Sequence, residues 1–274
     1  IGVVVLVVAG VVAALVDAGL AAMGEYRFSQ SLRASAQVSY DPEVTLGGFP
    51  YVTHASAGTF SGAVITARGV DVDGCPTQAR CRAEMGATLA GFTAPDGWRI
   101  GPTDTLAVSS MDVYTRLDSV NLGRMLGIID LTVNTPAPAD KAGGGGPQDG
   151  LLRRTTGVLM SGTVALPGGT GPYDEPPSAS RYPGPKAKVS VNVDVSVVDG
   201  RLHRRATVFY PGPEQHVDTD VPEPARAAVL AAFTRTLPLL PLPWQIAPTR
   251  AFSEGSDVLI AGTSGPRDVR PDRF

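Results

Sequence analysis

The side chains able to do chemistry are few and poorly grouped. The histidines are His54, His203 and His216, and none has the His-Glu-x-x-His or paired spacing that sets two imidazoles on one helix face for zinc. No Gly-x-Ser-x-Gly elbow presents a nucleophilic serine. His54 has the most unusual surroundings: it could serve as a base, or be a partly exposed residue leaving a bend. Asp71 and Asp73, two apart, share one face of a strand, where they would bind a cation weakly or form a solvated edge. Carboxylate pairs for glycoside cleavage need not be close in sequence, so spacing selects none. Cys75 and Cys81 enclose a short segment, and outside the cytoplasm such closeness points to one small disulfide loop. Two thiols without a histidine nearby in sequence are too few for a metal site. The glycines from Gly143 to Gly146 are not followed by Gly-Lys-Ser/Thr, so they do not make a phosphate-binding loop. These residues predict a protein that is not an enzyme and needs no cofactor.

The elements around these residues read more clearly. From Ile1 to Val16 no residue is charged, and Val, Ala and Leu dominate until Asp17. This run is slightly short of the roughly 20 residues that cross a bilayer as a helix. The expectation is that upstream residues complete the span and that everything after Asp17 lies outside the cytoplasm, behind a retained anchor or a cleaved signal segment. A buried helix of a soluble domain is the plainer alternative. From Asp17 to Gln37, Glu25, Arg27, Gln30 and Arg33 interleave with Leu20, Met23, Tyr26, Phe28 and Leu32, predicting an amphipathic helix.

Further on, Ala63 to Val72, Arg82 to Leu89 and Leu106 to Leu117 read as strands, and Asn121 to Ile129 as a short helix behind an Asp118-Ser119 cap. Lys188 to Val198, Asp199-Gly200 and Arg201 to Tyr210 predict an antiparallel hairpin, with valine at alternate positions and a favoured two-residue turn. Glu223 to Thr236 reads as a helix with Pro224 in its first turn and Pro238 as its stop. Gln245 to Phe252 and Asp257 to Ala261 are closing strands. Abundant Gly (32) and Pro (24) favour strands and turns over long helices. The segments near 135–150 and 167–186 cannot bury a core and read as flexible insertions. A net charge of −3, without Lys/Arg runs interleaved with aromatics, argues against nucleic-acid binding.

One stretch is more specific. Val44-Thr45-Leu46-Gly47-Gly48-Phe49-Pro50-Tyr51-Val52-Thr53-His54, followed by Gly58-Thr59-Phe60-Ser61-Gly62-Ala63-Val64-Ile65-Thr66-Ala67-Arg68-Gly69-Val70, reads as strand, sharp bend, strand. It resembles the opening of the LmeA-like phospholipid-binding family of actinobacterial envelope proteins. The preceding helix with an early acidic residue and the Leu-Pro run Leu237 to Pro243 also resemble that family. The resemblance implies residues 1–20 as transmembrane anchor or signal and 21–274 as a single lipid-binding domain. Its fold would be α+β, a long curved antiparallel sheet wrapped against one or two helices, with a tubular (TULIP-like) architecture as one form of it.

The implied function is an exported, membrane-anchored binder of a phospholipid or phosphatidylinositol-type glycolipid in the cell envelope, supporting lipoglycan (mannan) or lipid assembly without catalysis. The rivals are a scaffold recruiting envelope glycosyltransferases through the loops near Gly143 and Pro176, and a glycan or lipid hydrolase. Lipid binding needs an apolar concavity for acyl chains and polar groups at its mouth. The candidate walls are Phe49, Tyr51, Phe60, Val64, Leu126, Ile128, Phe233, Leu237, Leu240 and Trp244, each otherwise an ordinary core residue. Candidate headgroup contacts are Arg68, Arg124, Arg204 and Arg205, each otherwise a solvated arginine.

Overall fold

The computed structural model describes residues 2–75, 80–134, 153–166, 179–181, 184–210 and 221–274. The elements, in chain order, are α1 (Gly2–Leu32), β1 (Glu43–Gly47), α2 (Tyr51–Ala57), β2 (Thr59–Val72), β3 (Cys81–Thr93), β4 (Leu106–Leu117), α3 (Ser119–Leu126) and β5 (Ile129–Asn134). Then come β6 (Arg153–Arg154), β7 (Val158–Ala165), β8 (Lys186–Val198), β9 (Arg201–Phe209), α4 (Glu223–Ala232), β10 (Arg235–Thr236), β11 (Arg250–Glu254), β12 (Asp257–Ser264) and β13 (Arg267–Val269). The fold is α+β, and every strand pairing among the described residues is antiparallel. Its strands divide into two sheets, ordered β1-β2-β3-β4-β12-β11-β6 with β13 beside β4, and β10-β9-β8-β7-β5.

The strand periodicities are obeyed where the core demands it. In β8, Val189, Val191, Val193 and Val195 are buried, and Asp199-Gly200 turns with both φ positive (50° and 72°), as a two-residue hairpin turn requires. Asp118 caps α3, its carboxylate accepting from the Asn121 amide at 2.7 Å. Cys75 and Cys81 are joined as a disulfide, with Cα atoms 5.8 Å apart.

Several expectations change. The bend after Gly47 is not a simple corner: Tyr51–Ala57 forms a short helix, preceded by a cis Phe49-Pro50 bond. Gly58 closes that helix at φ +65°, and a Cβ there would lie 2.7 Å from the Ala94 carbonyl, so only glycine fits. The helix foreseen over Glu223 to Thr236 stops at Ala232, because Leu237 is drawn into backbone pairing with Leu202 and carries Arg235 and Thr236 into β10. The apolar run and the amphipathic segment are one continuous helix, α1, ending at Leu32 rather than near Gln37. The insertion called near 135–150 lies outside the described residues, as does most of that near 167–186.

α1 has two unlike halves. Its apolar half is exposed, with Val3, Leu6, Val12 and Leu15 at 75%, 75%, 53% and 68%. The second half is built into the domain: Phe28 and Leu32, one turn apart, are both fully buried. Ser29 and Ser31 donate to the carbonyls of Pro42 and Ile100, each at 2.5 Å, and Glu25 accepts from the Leu46 amide at 2.9 Å.

Candidate functional site

The junction of these halves is Asp17. Its carboxylate is buried and accepts from the amides of Tyr51 (2.8 Å) and Val52 (2.9 Å), the first free N–H groups of α2. The early acidic residue thus fixes the Gly-Phe-Pro segment against α1. Asp17→Ala should lower unfolding free energy by about 1–3 kcal/mol, since it orphans two enclosed amides. Chemical denaturation measures this, and a change no larger than that of an exposed-site control such as Met23→Ala would refute the role.

Behind the cap, Tyr51 sits edge-on to Trp98 at 5.9 Å, and Phe60 stacks on Phe92 at 4.8 Å. His54 joins this cluster, its Nδ1 2.9 Å from the Thr59 carbonyl oxygen and its ring stacked on Phe60. His54 is therefore a packing residue that holds the bend, and no carboxylate or nucleophile is bonded to it among the described residues.

Of the candidate walls, Tyr51, Phe60, Leu126, Ile128, Phe233, Leu237, Leu240 and Trp244 all fall in one contiguous buried apolar cluster. Trp244 is held by its Nε1 donating to the Arg270 carbonyl and by its ring edge-on to Phe274. Two candidates lie elsewhere. Phe49 is 76% exposed at the tip before α2, and Val64 faces out from β2 while Ala63 and Ile65 face in. The first is displaced by the turn geometry, the second by strand alternation.

The arginines also separate. Arg68 is a surface residue paired with Glu43 and Glu84, and Arg205 is a surface residue paired with Asp194. Arg124 reaches the Arg80 carbonyl at 3.4 Å from the last turn of α3. Arg204 is different in kind. It is fully buried, and Nε, Nη1 and Nη2 have no hydrogen-bond partner among the described residues. Burial, with a smaller push from Arg235, lowers its pKa to about 9, so it stays charged at neutral pH. On β9 it faces inward with Leu202, and its register partners are Val195 on β8 and Arg235 on β10. Arg235 extends to the Met125 carbonyl at 3.0 Å, at the end of α3. Directly opposed residues of antiparallel strands share a face, so two cations stand side by side at the edge of the second sheet.

The buried apolar interior therefore adjoins, at Arg204 and Arg235, a pair of cations near the edge of the second sheet. Residues 15–263 match the model of the LmeA-like phospholipid-binding family. The chain belongs to this family. No curated protein and no solved structure matches it.

In this LmeA-like chain several further polar groups of the described residues are held in ion pairs or hydrogen bonds. Arg116 pairs with Glu84 (3.6 Å), Glu254 (3.5 Å) and Asp257 (3.4 Å) on the outer face of the first sheet. Burial raises the Asp257 carboxyl, with Arg116 opposing. Arg68 also pairs with Glu84 and Arg153 with Glu254, so each of these carboxylates is held by at least one guanidinium. Asp71 is exposed and 3.8 Å from Arg82, and His203 contacts the Thr236 hydroxyl at 2.9 Å. His216 lies outside the described residues. No cluster of three metal-ligating side chains occurs among the described residues.

The sequence reading missed Arg235 and the role of Asp17. Arg235 was placed inside a helix that ends three residues earlier. Asp17 reads from the sequence as the end of the apolar run and the early acidic residue before Gly-Phe-Pro, an order that carries no sign of its bonds to the α2 amides.

Proposed function

We propose that this protein is a membrane-tethered, non-catalytic phospholipid binder working on the extracytoplasmic face of a membrane. The observation that carries the tether is α1, whose apolar half cannot be covered by the described residues and which is the one described helix long and apolar enough to cross a bilayer. Val52, 38% exposed, is bonded to Asp17 where α1 leaves its apolar stretch, and with Phe49, 76% exposed three residues earlier, it suits the headgroup boundary of that bilayer. The disulfide suits an oxidising compartment.

In this reading acyl chains enter the apolar cluster containing Phe233, Leu237, Leu240, Leu126 and Ile128, each buried methylene contributing about 0.8 kcal/mol. The lipid is a phospholipid or a phosphatidylinositol-type glycolipid, presented to lipoglycan assembly. Native mass spectrometry of the full chain released from detergent micelles tests this. Expected is a stoichiometric phospholipid that survives release. A bare mass that persists after incubation with phosphatidylglycerol and phosphatidylinositol would remove the lipid-binding reading.

A further inference from the structure

We propose that Arg204, with Arg235 beside it, is an internal anchor for the phosphodiester anion of the bound lipid, so that the phosphate is held inside the edge of the second sheet rather than in bulk water. This rests on the phospholipid-binding reading and gives that site a chemistry. A fully buried guanidinium whose nitrogens have no partner among the described residues is among the least favourable states a side chain can occupy. The usual remedy is a carboxylate, yet neither Arg204 nor Arg235 has one within ion-pair distance among the described residues. The neighbour across the ladder is instead another cation, which makes the pair worse.

An anion supplied from outside the chain resolves both problems together. A phosphodiester carries one negative charge and two unesterified oxygens, matching the planar fork of an arginine. Its position also fits an amphiphile. β10 is the outermost strand of its sheet and both its residues are exposed, so a headgroup reaches Arg235 from solvent. Inward from Arg204 the same face carries Val195 and Leu202, and Leu237 is hydrogen-bonded to the Leu202 carbonyl. The anion would therefore meet the two guanidinium groups while its acyl chains continue into the apolar cluster.

The test compares wild-type full chain with Arg204→Met and Arg204→Lys, using dioleoyl-phosphatidylglycerol, dioleoylglycerol with the same chains, and inorganic phosphate as probes in native mass spectrometry and thermal melting. Wild type should prefer the phospholipid over the diacylglycerol by about 10- to 100-fold, the range of a charge-assisted hydrogen-bonded contact. Arg204→Met should bind the two equally, and its lipid-free form should melt higher than wild type, because a buried unpaired charge has become an apolar side chain. Arg204→Lys should keep part of the preference. A merely structural arginine would not give weaker phospholipid selectivity together with a higher melting temperature.

Equal selectivity in wild type and Arg204→Met overturns the anchor while leaving lipid binding in place. Retention of neither lipid by wild type overturns both readings. Inorganic phosphate that binds as tightly as the phospholipid, and only when Arg204 is present, would assign the site to the free anion and overturn the lipid form. If Arg204→Met fails to fold, the wild-type preference decides: no preference for the phospholipid over the diacylglycerol overturns the proposal.

Discussion

Phe60→Ala will lower the unfolding free energy by about 3–5 kcal/mol, the range for emptying a large aromatic site in a close-packed core. The ring is 4% exposed, stacked 4.8 Å from Phe92 and 6.2 Å from Tyr51, and Phe92 in turn lies 6.2 Å from Phe28 of α1. Removing it leaves a cavity at the point where α1, α2 and the first sheet meet. Phe49→Ala, eleven residues away in a 76% exposed position, should change stability by no more than about 0.5 kcal/mol. Urea denaturation of the two variants measures the contrast, and equal effects would show that the aromatic cluster is not the core of this region. The same burial means that a charge placed at Phe60 or Trp244 reports on folding before it reports on lipid uptake.

Deleting residues 2–16 will move the protein from the carbonate-resistant membrane fraction to the supernatant and leave its melting temperature nearly unchanged. Each Val, Leu or Ile in a spanning helix contributes roughly 0.3–0.6 kcal/mol to insertion, so the valine-rich half of α1 dominates membrane affinity. That half makes almost no contact with the domain: residues 2–16 are all exposed. The contacts that fix α1 begin at Asp17 and continue through Glu25, Phe28, Ser29 and Leu32, all of which remain after the deletion. A truncated chain that stays in the membrane pellet would show that another surface, with Phe49 at its tip, suffices for attachment. A large fall in melting temperature would show instead that the apolar half is part of the folded domain.

Much of this arrangement was legible in residue order. Strand β4 has the ends that its residues predict, and the Asp118 cap and the Asp199-Gly200 turn are each expressed by local chemistry acting over a few residues. Element ends were less legible. α4 ends at Ala232 because Leu237 pairs with Leu202, a contact between segments more than thirty residues apart, and no local signal short of Pro238 announces it. The bend after Gly47 hid a helix because its first amides are capped by Asp17, far earlier in the chain.

What the sequence by itself determined was the composition of each local piece: an apolar run ending at Asp17, alternating valines that need a covered face, a Gly-Phe-Pro-Tyr step, and the family to which these belong. Local preference and hydrophobic period are properties of neighbours in the chain, so they can be read from it. Only the tertiary structure decided which arginine is a functional candidate. Arg204 and Arg205 are adjacent and identical in type, but strand alternation and the cover over β9 send one into solvent beside Asp194 and the other into the core beside Arg235 without a counter-charge. Burial and pairing are set by distant segments, and they give two identical side chains opposite physical states.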